Sequence, residues 1–179
     1  QRQKLVGQLA SEKNRLHKVL TDSGVRLGVV VSDLHGLSAR AMVKAIIAGE
    51  SPSEVLRHAS RRLKASREEI FEALQGDLTA SHRFVLDELM RHIEEIEARI
   101  ARFDARLLGE LEAEHNTLAL LQTIPGVDLI GAAMLLVEIG SDMGVFGSAD
   151  RLASWVGICP GNNEPAGKRK SGRLRKGNL

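Results

Sequence analysis

The chain has 179 residues, 43% hydrophobic and 27% charged, an ordinary globular balance with room for one or two small domains. Aromatics are 3% with no tyrosine, while Ala, Leu, Glu and Arg dominate, which favours helices over a β-rich core. The formal charge of +2 divides unevenly: residues 1–150 hold 18 basic and 22 acidic side chains, a net of −4, and the residues from Arg151 onward hold seven basic and one acidic, a net of +6. Such a split suits the C-terminal segment to an anionic partner. The single cysteine, Cys159, cannot close an internal disulfide, and no zinc-ligand spacing surrounds it. There is no signal peptide and no apolar run long enough to span a membrane. These features imply a reduced, intracellular protein, expected in the cytoplasm. A chain that begins at Gln1 rather than methionine reads as a fragment or a processed product.

Leu5, Leu9, Leu16, Val19 and Leu20 recur at helical spacing and predict an amphipathic helix over 3–20, stopped by Gly24. Val29 to Val31 suit a strand by β-branching, but the run from Val25 to Gly49 is read here as a short helix broken at Gly36. A second helix then runs from Ser38 to Gly49, with Gly49 as its stop. Ser51-Pro52 opens a further short helix to about Ser60, with an N-cap and a proline at the first helical position. Ser66 and Glu69 form a capping box for the next, which Gly76 ends. From Thr79 to about Glu112 the pattern is sharpest. Leu86, Leu89, Ile93, Ile96, Ile100, Phe103 and Leu107 make a heptad seam. Its partner is either the N-terminal helix of the same chain or the same helix of another chain. Without a partner the seam lies exposed, which favours self-association.

From His115 the sequence reads as helix, tight turn at Pro125-Gly126, and a compact helix from Leu129 to Ile139 ended by Gly140. Leu118 and Leu121 face inward on the first helix, and Gly131, Ala132 and Ala133 permit close packing on the second. The pattern resembles a helix-hairpin-helix motif, in which a glycine lets backbone N–H groups approach a nucleic-acid phosphate. Gly126 is the candidate. Asp128 stands where the motif has its second glycine; it either disfavours phosphate or simply caps the following helix. Phosphate contact and plain hairpin packing both stay open.

Ser148 caps a helix over Ala149 to Val156 that buries Leu152 and Trp155, with Trp155 read as a core anchor rather than a base-stacking platform. After Gly157 comes a loop rich in Gly and Asn, and from Lys168 to Lys176 six of nine residues are Lys or Arg. This stretch cannot build a core. Lys168, Arg169, Lys170, Arg173, Arg175 and Lys176 are candidates for ion pairing with nucleic-acid phosphates, against the alternative of a solvated tail.

Ile124-Pro125-Gly126-Val127, Glu138-Ile139-Gly140, Phe146, Leu152-Ala153-Ser154-Trp155, Gly157, Cys159-Pro160-Gly161-Asn162-Asn163 and Ala166-Gly167-Lys168-Arg169-Lys170-Ser171-Gly172 stand in one order. In that order they resemble the C-terminal domain of bacterial insertion-sequence transposases of the 110/116/902 group, in a branch that also carries an aspartate like Asp128. The residues up to about Glu114 resemble that family's helical linker and coiled-coil arm more loosely. The resemblance implies a recombinase of mobile DNA. Its complete members begin with an α/β domain whose four acidic residues hold divalent metal, magnesium, at the scissile phosphate. The C-terminal domain supplies a serine that attacks DNA. Members assemble as dimers or tetramers, and some use a structured guide RNA.

Three departures follow. The acidic α/β domain, and with it the only metal the resemblance implies, is expected to be missing before Gln1. The serine's position, between Glu164 and Ala166, holds Pro165, which has no hydroxyl and no backbone N–H. The family continues into another helix after Leu179. The expectation is therefore an all-α chain: a helical linker and coiled-coil arm over 1–114 and an incomplete transposase domain over 115–179. It should bind DNA, or a guide RNA, self-associate through the coiled coil, and lack catalysis. The alternatives are a non-catalytic nucleic-acid-binding regulator of an intact transposase and a purely structural coiled coil.

Overall fold

The structure, a computed structural model, describes residues 1–157. Among them every regular element is helical and no strand occurs. By compactness the chain divides into Gln1–Arg106 and Leu107–Leu179, whereas the motif-based division falls at 114/115.

The first unit opens with α1 (Arg2–Asp22), whose Leu5, Leu16 and Leu20 are buried at the expected spacing. Next come α2 (Leu27–Val30) and α3 (Leu37–Ala48), so the helical reading at Val29–Val30 holds over the strand. The first of these ends at Val30 rather than at Gly36. Val31 leaves α2 in extended geometry, and Gly36 serves instead as the N-cap of α3. Gly49 closes α3 as expected, its N–H on the Ile46 carbonyl and the Glu50 N–H on that of Ala45, both at 3.0 Å.

Ser51 opens α4 (Pro52–Val55) with a capping box to Glu54, and a 3₁₀ turn, Leu56–His58, carries the chain on. Ser66 and Glu69 cap α5 (Arg67–Ala73) in the same way. That helix stops at Ala73, short of Gly76, so glycine at 76 has another cause. A Cβ there would lie 2.6 Å from the Ser23 carbonyl oxygen and 2.6 Å from Val25 Cγ2. The neighbouring Asp77 N–H donates to that same carbonyl at 2.9 Å. Gly76 lets the two turns meet; it is not a helix stop.

The long helix α6 (Ala80–Glu110) starts where Thr79 accepts from the His82 N–H. Leu86, Ile93 and Ile96 of the seam are buried, Leu89 and Ile100 are half-buried, and Phe103 is 42% exposed. Met90, absent from the heptad reading, is buried as well. Its burial has a simple origin. Both α1 and α3 cover α6, so the apolar stripe is wider than a two-position seam. Leu16, Leu20, Met42, Val43, Ile46, Leu86, Met90 and Ile93 share one core.

Ion pairs fix the directions. Arg2 pairs with Asp104 and Lys13 with Glu97 (3.1 Å), so α1 and α6 run antiparallel. Arg40 reaches both Glu97 oxygens, at 2.9 and 2.8 Å, and Lys44 meets Glu94 at 2.7 Å. The N-terminal half of the seam is thus covered within the chain, so of the two partners the pattern leaves open, the N-terminal helix of the same chain is the one seen here, with α3 beside it.

The second unit contains α7 (His115–Leu121), α8 (Leu129–Ile139) and α9 (Ala149–Val156). Leu118, Ala132, Ala133 and Leu136 form its core, with Leu107, Leu108, Leu111, Leu121 and Val127 against it. The two alanines let α7 and α8 approach closely, as the small-residue pattern requires.

Candidate nucleic-acid interface

The hairpin between α7 and α8 is the place where sequence and structure meet most directly. Pro125 and Gly126 stand at its exposed apex. Gly126 has φ +85°, the left-handed region that costs an ordinary residue about 1–2 kcal/mol. A Cβ at Gly126 would meet nothing within 4 Å, so the turn needs glycine for its backbone angle and the space above it is open.

Asp128 is the N-cap of α8, and its Oδ1 accepts from the Gly131 N–H at 2.7 Å. The capping alternative is therefore the one realised. One first-turn donor that could have held a phosphate is occupied by the chain's own carboxylate, and that negative charge sits at the helix's positive end.

Beyond the hairpin, Ser148 caps α9 by accepting from the Arg151 N–H at 3.3 Å. Trp155 is half-buried and stands edge-on to Phe146, with ring centroids 5.6 Å apart. It packs on an aromatic neighbour, but neither it nor Leu152 is fully buried, a correction to the expected burial. Pro165 and the candidate phosphate-binding residues Lys168, Arg169, Lys170, Arg173, Arg175 and Lys176 lie outside the described residues, as does Cys159.

A second basic segment, in the first unit, was not picked out from the sequence. Residues 57–67 read RHASRRLKASR: five Lys or Arg, one His and no acid in eleven positions. Averaging over residues 1–150, which are net negative, hides it; a short sliding window of charge exposes it. All five cations are solvent-exposed. Arg62 and Lys64 line a groove of about 670 Å³ whose opposite wall is the stretch 28–32.

Among the described residues no group of three or more His, Cys, Asp or Glu could hold a metal ion. None of the described helices is long and apolar enough to cross a membrane.

Fold and site together define an all-α protein: a helical arm, then a hairpin domain running into a basic segment. Residues 118–179 match the model of the family described as Transposase IS116/IS110/IS902 family, so this segment carries that family's transposase domain. Neither a curated protein nor a solved structure matches the chain.

Proposed function

We propose that this transposase-derived chain forms the arm and C-terminal domain of a mobile-element DNA recombinase. In this reading it binds DNA through its basic C-terminal segment and cleaves no strand itself. The observation that carries it is the family match over residues 118–179, which spans the hairpin apex at Gly126, the cationic run Lys168–Lys176 and Pro165. Cations at that density neutralise phosphates and release counterions, so the binding is salt-dependent. Proline offers no nucleophilic oxygen for phosphoryl transfer. Magnesium enters this scheme only with the family's acidic α/β domain. A structured guide RNA is the second polyanion the same segment could hold.

Self-association through α6 is part of the proposal. Phe103 is 42% exposed on the seam whose Leu86, Ile93 and Ile96 are buried, and Phe84 is exposed on the same helix. Those two rings also favour a second reading, a non-catalytic regulator that joins an intact transposase through the arm. Co-purification with such a transposase separates the two.

The test is duplex DNA binding by the whole chain and by its Lys168→Glu/Arg169→Glu/Lys170→Glu variant. The expected result is binding that weakens steeply with salt and is lost on charge reversal. Absence of binding at low salt would defeat the proposal and leave a structural helical arm.

A further inference from the structure

We infer that the basic loop over residues 60–64 is a second DNA-backbone contact, built into the arm, with Arg61, Arg62 and Lys64 as its phosphate ligands. The choice of DNA among polyanions rests on the proposed function above; the site itself rests on the following geometry.

A side chain from outside the loop anchors its start. Ser38 Oγ, on α3, donates to the His58 carbonyl at 2.7 Å and accepts from the Ser60 N–H at 2.8 Å. Inside the loop, Ser60 Oγ accepts from the Arg62 N–H at 3.1 Å, and the Ser60 carbonyl accepts from the Leu63 N–H at 3.2 Å. Leu63 and Ala65 turn inward and pack on the core. Alternation then places the intervening cations outward. Such a clamp is expensive to keep on a loop with nothing to position, because it fixes backbone that is otherwise free to move.

Of the carboxylates nearest in sequence, Glu54 and Glu69 are engaged with their own helix caps, and the exposed Glu68 forms no ion pair with the loop. Glu54 accepts from the Ser51 N–H at 2.8 Å and from its hydroxyl at 2.7 Å; Glu69, which shares the groove with Arg62 and Lys64, accepts from the Ser66 N–H at 2.7 Å. Arg57 stands close enough to Glu54 to help hold that carboxyl below its usual range, after the two Ser51 hydrogen bonds. Among the described residues no ion pair reaches Arg61, Arg62 or Lys64, which contrasts with Lys13, Arg40 and Lys44 on the same unit. Cations without internal counter-ions attract an external anion.

The form of that anion follows from what the groove lacks. Neither the segment 57–67 nor the stretch 28–32 contains Phe, Trp or Tyr, and the one ring, His58, is turned to Glu50 at 3.5 Å, so the groove offers no large ring on which unpaired bases could stack. Positive charge without such rings suits the sugar-phosphate strand of a duplex. The exposed Val29 on the facing wall adds an apolar surface suited to deoxyribose.

The experiment compares the whole chain with two neutralised variants, Arg61→Gln/Arg62→Gln/Lys64→Gln and Lys168→Gln/Arg169→Gln/Lys170→Gln. Each is titrated against a labelled random-sequence DNA duplex, and against the RNA duplex of the same sequence, across a salt series. Circular dichroism confirms folding, and Ser38→Ala, which frees the loop without touching a charge, is the second handle. The loop variant should flatten the slope of log K against log salt by about 2.7, at ~0.9 per lost phosphate contact. Its affinity deficit on DNA should accordingly shrink by about 40-fold between roughly 50 and 200 mM salt. Ser38→Ala should weaken binding with little change of slope. A loop variant with the wild-type slope on DNA overturns the inference, and so does a deficit seen with RNA alone. If the loop variant loses affinity while the 168–170 variant does not, the C-terminal assignment fails and this one stands.

Discussion

The two units differ in how much core supports the surface they present. In Gln1–Arg106 the interior holds Leu16, Leu20, Leu27, Met42, Ile70, Leu86 and Ile93, all almost wholly shielded, and ion pairs join α6 to α1 and α3. Among the described residues of Leu107–Leu179, the buried set is Leu118, Ala132, Ala133 and Leu136, and two of those four are alanines. Burial of a Leu or Ile side chain stabilises by about 1.5–3 kcal/mol, and an alanine contributes far less. The described part of the family-matched segment is thus the lightly cored one. The arm is the part with stability to spare for presenting a fixed cationic loop.

The largest expected effect separates the two units directly. Ile93→Ala removes a fully buried side chain at the α1–α6 contact and should cost about 2–5 kcal/mol in urea unfolding followed by circular dichroism. Trp155, the one tryptophan, lies in the second unit and reports that unit by fluorescence. Leu136→Ala should shift the Trp155 transition while leaving most of the helical signal in place. Equal shifts of both signals for both variants would break the comparison.

Next in size is Gly76→Ala, where the new Cβ meets backbone rather than a yielding side chain; about 1–3 kcal/mol is expected. Its counterpart in the second unit, Gly126→Ala, meets no neighbour and should cost ~1 kcal/mol through its backbone angle alone. A smaller penalty at Gly76 than at Gly126 would contradict the distinction between close approach and turn angle. Asp128→Ala removes a capping bond and should destabilise by about 1 kcal/mol, while DNA affinity rises because a carboxylate leaves the hairpin.

The smallest effect is a pH dependence confined to the arm. Burial, then the charges of Lys13 and Arg40, push the His35 imidazole below its ordinary 6.5, against the opposing influence of Asp33 and Glu97. The unfolded chain therefore takes up this proton more readily, so this contribution to stability is complete above about pH 6.5 and declines as pH falls below it. Glu97 acts lower on the scale. Burial raises its carboxyl, but the hydrogen bonds from Arg40 and Lys13 outweigh that and hold it below 4.5, so its contribution is present above 4.5 and lost as pH drops through the lower folded value. His35→Gln should flatten the stability profile just below pH 6.5 and leave the fall near Glu97's range unchanged.

Much of the helical order was legible in the sequence because it is set locally. Ser51 with Pro52, the Ser66–Glu69 box, Gly49, Asp128 and Ser148 each act on donors or carbonyls within a few residues, and each stands where the spacing puts it. What the pattern could not supply was non-local. The seam of α6 does not say which helix covers it, and Met90 becomes core only because two helices press on one face. Gly76 looks like a helix stop until the turn at Ser23 is seen beside it. The cations of 57–67 vanish in an average over acidic helices, and their significance depends on Ser38, some twenty residues away, holding the loop. At the C-terminal site the order of motifs from Ile124 to Gly172 carried the family, and the match over 118–179 agrees with it.

The central claim is that the chain holds DNA without attacking it, and the most direct test is a labelled duplex run on native and denaturing gels. With magnesium present, a chimera carrying the acidic α/β domain of an active family member is compared with its Pro165→Ser form. The account predicts a complex on the native gel for both, and a denaturation-resistant protein–DNA adduct only after Pro165→Ser. An adduct formed equally well with Pro165 in place would contradict it.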